Sequence, residues 1–186
     1  MFLIHDLATH ADWGELKSAV STFPQTAKVP HPDSRDLPLH LALSLGSCPS
    51  NVISSIIEAY PEAVDSPSGS TNEYPLSTYL RTFEGTIDVT LLNSLATEVS
   101  AKGVSTLGET PLLQAISKKT VHVEDLKCLV ELYPDACSIP DEMDQLPLHE
   151  AIAVGLPKDF IKFIYDKFPE AATMENREGN IVDVNV

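Results

Sequence analysis

Leu37-Pro38-Leu39-His40-Leu41-Ala42 returns near the other end of the chain as Leu146-Pro147-Leu148-His149-Glu150-Ala151, with one residue changed. Between the two, Thr110-Pro111-Leu112-Leu113-Gln114-Ala115 keeps the proline, the leucine and the alanine, and Pro75-Leu76 keeps the first two. The four Pro-Leu steps, at 38, 75, 111 and 147, are 37, 36 and 36 residues apart. A fixed period of this length marks a chain built from repeated supersecondary units, each covering the next unit's apolar face.

A second marker keeps phase with the first. Phe23-Pro24, Tyr60-Pro61, Tyr133-Pro134 and Phe168-Pro169 recur, and the aromatic residue precedes the next Pro-Leu proline by 15, 15 and 14 residues in the first three cases. The third unit has Thr97-Glu98-Val99 in its place. Before each aromatic, apolar residues fall at helical spacing: Val52, Ile53, Ile56 and Ile57; Leu126, Leu129 and Val130; Phe160, Ile161 and Ile164. Each unit therefore reads as a short helix opened by proline in its first turn, a turn, a second helix, and a proline past that helix's end. Ahead of the first unit, Asp12-Trp13-Gly14-Glu15 is a capping-box pattern opening a helix that runs to Phe23. Leu16, Ala19, Val20 and Phe23 are expected to face the core, with Trp13 closing its end.

The first-helix strings resemble the ankyrin signature TPLHxA, and Gly108-Glu109-Thr110-Pro111-Leu112 is similar to that family's GxTPL. The resemblance implies an all-α, ankyrin-like helical repeat solenoid of helix-turn-helix units joined by finger-like loops. One repeat domain is expected over 1–186: a cap unit at 1–31, repeats at 32–68, 69–104, 105–140 and 141–175, and a partial unit or tail at 176–186. The departures are Leu37, Tyr74 and Leu146 where the family has threonine, and a period above its usual one of about 33.

At 186 residues, with 43% hydrophobic composition, the chain can build a continuous core. Its net charge of −15 repels nucleic-acid phosphates and anionic lipid headgroups, which excludes both as expected partners. Cys48, Cys128 and Cys137 have no CxxC spacing and read as free thiols in a reducing compartment, cytoplasmic or nuclear. Met1 to Ile4 is too short an apolar run for a leader or a span.

No catalytic, cofactor-binding or metal-ligating constellation is readable. His40 and His149 occupy the family's structural histidine position, His5 and His10 are five apart, and His31 and His122 stand alone in loops. Cys128 lies inside an apolar helix, whereas the turn Gly46-Ser47-Cys48-Pro49 would leave Cys48 exposed, with no histidine near it in sequence. No phosphate loop or nucleophile elbow occurs.

What the resemblance leaves is a surface. The finger tips and the exposed ends of the first helices place Asp33, Asp36, Leu45, Glu73, Arg81, Glu109, Lys118, Glu142, Asp144 and Val154 as candidate partner-binding residues. The expected function is a monomeric, non-catalytic protein-protein interaction module that binds a partner with a basic surface on its concave face. The alternative is a repeat-domain fragment of a larger enzyme or signalling protein. The alternating Val182, Val184 and Val186 also raise self-association through the C-terminal edge.

Overall fold

The computed structural model describes residues 3–84, 87–118, 120–177, 179 and 181, so Val182, Val184, Val186 and most of the expected partial unit lie outside the described residues. The described residues form ten α-helices and no strand. In chain order these are α1 Leu3–Thr9, α2 Trp13–Thr22, α3 Pro38–Ser44, α4 Ser50–Ala59, α5 Pro75–Thr82, α6 Val89–Leu95, α7 Pro111–Ser117, α8 Val123–Leu132, α9 Pro147–Val154 and α10 Lys158–Lys167. None is long and apolar enough to cross a membrane.

All four Pro-Leu steps open a helix, with proline in its first turn where its missing N–H costs nothing. The aromatic of each aromatic-proline pair caps the preceding helix: Tyr60, Tyr133 and Phe168 share φ near −145° and ψ near 80°. Its proline starts a one-turn 3-10 segment, at Pro24–Lys28, Pro61–Asp65, Pro134–Ser138 and Pro169–Thr173. In the third unit hydroxyls replace the proline. Thr97 N–H donates to Ser100 Oγ at 2.9 Å, Ser100 N–H donates to Thr97 Oγ1 at 3.0 Å, and Ser100 Oγ–H donates to the Leu95 carbonyl at 2.8 Å.

The chain divides into two compact units, Met1–Ser100 and Ala101–Val186. In the first, α1 packs on α3 and α3 on α5, while α2 packs on α4 and α4 on α6; in the second, α7 packs on α9 and α8 on α10. Leu39, Ala42, Leu43, Val52, Ile53 and Ile56 bury the first unit's core, and Leu112, Ala115, Leu126, Leu129, Leu148 and Ile164 that of the second. Helices of seven residues are unstable in water alone, so this cover decides whether they form.

The N-terminal segment differs from the expected cap. It holds a complete helix pair, because α1 precedes α2 and buries Ile4, Leu7 and Ala8 at helical spacing. The Asp12 carboxylate does cap α2, accepting the Glu15 N–H at 3.3 Å. Leu16 and Val20 are buried, but Phe23 is exposed and Trp13 only half-buried.

His5 shows what α1 is. Its Nε2 meets the Val29 carbonyl at 2.8 Å, as His40 meets that of Ser66 at 2.8 Å and His149 that of Ala171 at 3.2 Å. Each bond ties a first helix to its own unit's 3-10 segment, at the residue just past it for Val29 and Ser66 and at its middle for Ala171. In the two Pro-Leu copies Nδ1 is also committed, accepting the Leu37 N–H at 3.0 Å and the Leu146 N–H at 3.2 Å. That geometry requires the neutral tautomer with the proton on Nε2, since an added proton on Nδ1 would face an N–H.

Burial lowers the pKa of His40 from its ordinary 6.5, outweighing the Ser66 carbonyl and Asp36, which raise it. The unfolded chain therefore takes up a proton near pH 6.5 that the folded chain does not, and stability falls as pH drops from there toward the lowered value. Urea unfolding at pH 7.5 and 5.0 is expected to give a lower midpoint at pH 5.0. His40→Gln is expected to cost about 1–2 kcal/mol at pH 7.5 and to shrink the pH difference; an unchanged difference would refute the assignment.

Candidate functional site

Each finger preceding a Pro-Leu step is a closed turn built on its first side chain. Ser68 Oγ accepts from the amides of Ser70 and Thr71 at 3.2 and 3.1 Å, Ser105 Oγ from Leu107 and Glu109 at 3.2 Å each, and Asp141 Oδ1 from Met143 and Gln145 at 2.8 and 2.9 Å. His31 plays the same part through Nδ1, accepting from Asp33 and Ser34 at 3.3 Å. It also meets the His5 ring edge-on at 5.4 Å, so it is not the solitary loop histidine expected. A backbone bond closes each turn, from His31 to Asp36, Ser68 to Glu73, Ser105 to Glu109 and Asp141 to Gln145. Closure needs a positive φ, carried by Arg35, Asn72, Gly108 and Asp144.

This turn redirects two of the expected surface acids inward. Asp36 is 5% exposed and Glu73 1% exposed. Asp36 accepts from Ser68 Oγ at 2.5 Å and from Ser70 Oγ at 2.8 Å, residues of the neighbouring finger. Burial alone would raise its pKa, but the bonds from Ser68, Ser70 and Ser34 win and hold the carboxyl below 3.8. Glu73 takes both Nε and Nη2 of Arg81, at 3.2 and 2.7 Å. These are internal fastenings of the fold, which corrects their assignment to the partner surface. The two fingers touch so closely that a Cβ on Gly69 would sit 2.3 Å from the Ser34 carbonyl oxygen.

Asp36 and Arg81 nevertheless meet at one place in the first unit, a polar cleft of about 110 Å³ lined also by Ser44, Ser68, Ser70 and Thr78. Asp33 and Leu45 are exposed beside this framework but do not line the cleft. In the second unit Glu142 and Asp144 are exposed, and Asp144 pairs with Arg177 at 3.4 Å. Lys118 and Val154 are partly buried at the ends of their helices. Glu109 is partly buried too, and burial, then the charges of Asp141 and Glu150, push its pKa above the ordinary 4.5. Two exposed finger residues, Leu107 and Met143, escaped the sequence reading, because nothing in the string marks an apolar residue as outward-facing.

The cysteines exchange places relative to expectation. Cys48 is buried and Cys128 exposed. Burial pushes the Cys48 thiol up to about 12 and that of Cys137 to about 11, which removes the thiolate needed for nucleophilic attack. Among the described residues no group of three or more His, Cys, Asp or Glu could hold a metal ion.

No family model matches the sequence, and no curated protein matches it. In fold, 233 solved chains are similar, so the architecture by itself selects no function. One belongs to the structure described as the Bd0816 predatory endopeptidase from Bdellovibrio bacteriovorus in complex with immunity protein Bd3460. The likeness covers 96% of this chain and 86% of the other, with a TM-score of 0.66 and 13% identity. This finding overturns the functional expectation of a general interaction module gripping its partner on a concave face, or of a fragment of a larger enzyme or signalling protein: the similar solved chain comes from a complex of an endopeptidase with its immunity protein.

The Glu73–Arg81 pair yields a stability test. Removing the guanidinium strands a buried carboxylate, so Arg81→Met is expected to cost about 2–4 kcal/mol, moderated by the partial exposure of Arg81. The double variant Glu73→Gln/Arg81→Met should recover at least half of that in urea unfolding. Additive losses would show that the two side chains do not act as a pair.

Proposed function

We propose that this chain is an immunity-protein-like binder, a non-catalytic protein that associates with an endopeptidase and holds it inactive. The observation that carries the reading is the likeness over nearly the whole of both chains to a chain from a complex of an endopeptidase with its immunity protein. At 13% identity this is kinship of shape, so the choice between the two sides of such a complex rests on chemistry.

That chemistry favours the inhibitory side. His40 engages both ring nitrogens with the backbone, as does His149, which leaves neither ring free to serve as a base. Burial keeps Cys48 and Cys137 protonated. The exposed acids Asp33, Glu142 and Asp144 favour a partner with basic residues around its contact surface. As scaffold we read an ankyrin-like repeat domain with five helix pairs, supported by the Pro-Leu period, the shared aromatic cap and the recurring imidazole-to-carbonyl bond.

The test is capture followed by inhibition. The immobilised chain is expected to retain a peptidase from extracts of the cells that make it, and a stoichiometric amount of free chain should suppress that enzyme's peptide hydrolysis. Retention of no peptidase, or retention with undiminished hydrolysis, would overturn the proposal.

A further inference from the structure

The third position of each finger turn is a natural experiment inside the molecule. In the first unit it is filled by Asp33 and Ser70, both polar. In the second unit the same position holds Leu107, 55% exposed, and Met143, 50% exposed. Closing a finger does not require an apolar side chain there, since the first unit closes its own turns, one residue longer (His31 to Asp36 and Ser68 to Glu73, against Ser105 to Glu109 and Asp141 to Gln145), without one. Two large apolar side chains held in water at equivalent positions need a reason other than the turn.

The two tips lie side by side. A Cβ on Gly108, next to Leu107, would meet Glu142 Cγ at 3.1 Å, next to Met143. Both tips are also held in place before any partner arrives. The Leu107 and Met143 amides donate to the side chains that open their turns, and the Met143 carbonyl accepts the Arg177 N–H at 3.1 Å. A preformed apolar pair loses little conformational entropy on contact, and methionine adapts its shape to what it meets.

Around the pair stand carboxylates. Glu142 and Asp144 are exposed, Asp141 and Glu109 partly so, and Glu150 reaches the same finger through Gln145 Nε2 at 2.5 Å. Arg177 offsets Asp144. The raised pKa of Glu109, caused by burial and then by Asp141 and Glu150, shows that these like charges still oppose one another. An apolar centre within an acidic rim is complementary to an apolar side chain flanked by lysines or arginines.

We propose that the Leu107–Met143 finger tips, within their ring of carboxylates, dock a protein segment that presents one apolar side chain between basic residues. This deepens the binder reading above, resting only on its premise of a protein partner, and it names the partner's local chemistry. Asp36 and Glu73 of the first unit's fingers do not share the role, because they are spent on the fold.

The probe is a nine-residue peptide with a central leucine among lysines and arginines, titrated into the isotope-labelled full chain at physiological salt. The leucine peptide is expected to shift the amide signals of Leu107, Gly108 and Met143 saturably. A serine at its centre, or glutamates in its flanks, should weaken binding at least fivefold. Leu107→Ser/Met143→Ser alters only exposed side chains, leaves the fold's amide spectrum intact and should weaken binding of the leucine peptide at least fivefold. Equal binding by that variant, shifts spread evenly over both units, or no saturable shift would overturn the proposal. Failure is distinguishable from failure of the inhibitor reading: a peptidase inhibited equally by natural chain and variant removes this surface alone, whereas peptide binding without any peptidase capture removes the inhibitor and keeps the surface.

Discussion

A seven-residue helix cannot hold itself together in water, because too few internal hydrogen bonds form to offset the cost of nucleation. Four of the five first helices fall within one residue of that length even where proline starts them, and α1 is as short without one. Their existence depends on fastening both ends to something else. Proline removes one orphan amide and fixes φ at the start. The imidazole at the fourth position of the Leu-Pro-Leu-His string then accepts the amide of the residue before the proline and donates to a carbonyl more than twenty residues later. One ring thereby caps a helix and closes a unit, a long-range tie that brings no charge into the core.

The same economy explains why an acidic chain buries acids. A carboxylate with 5% exposure is costly unless each oxygen is bonded, and Asp36 receives bonds from Ser68 and Ser70 of the next finger. Glu73 meets its need with Arg81 on the following helix. Replacing such groups with apolar residues of similar size often stabilises a protein, so their value here is directional: each fixes which finger lies against which. The net charge of −15 is therefore not wholly a surface property, and an argument from total charge to partner charge must subtract the residues used inside.

The parts of this architecture legible in the string are those with a covalent or periodic cause. Pro38, Pro75, Pro111 and Pro147 mark helix starts because proline permits little else there, and the apolar stripe of Val52, Ile53 and Ile56 marks a buried face because helices repeat every 3.6 residues. Illegible parts depend on side-chain direction in turns. Arg35, Asn72 and Asp144 take positive φ like Gly108, yet only the glycine advertises it. In the first unit's fingers the residue after the positive φ, Asp36 or Glu73, is buried, and nothing in the string tells it from a solvent-facing acid. Cys128 illustrates the converse: its neighbours Leu126 and Leu129 face the core, and a residue between them on a helix faces away. The helix α1 was hidden because it has neither proline nor the Pro-Leu string, though His5 sits where the later histidines sit.

Function in such a molecule divides along the same line. The helices must conserve fastenings and close packing, so a change there is felt throughout a unit. At Leu107 and Met143 the third position of the finger is free of that duty, since the amide serves the turn while the side chain stands outside, whereas Ser70 at the same position is bonded to Asp36. Aspartate and serine occupy it in the longer turns of the first unit, leucine and methionine in the shorter turns of the second, and all four turns close. A rigid frame with interchangeable tips can acquire a new partner by substitution at a few exposed positions, at almost no cost in folding free energy. That separation lets chains of one shape serve unrelated partners.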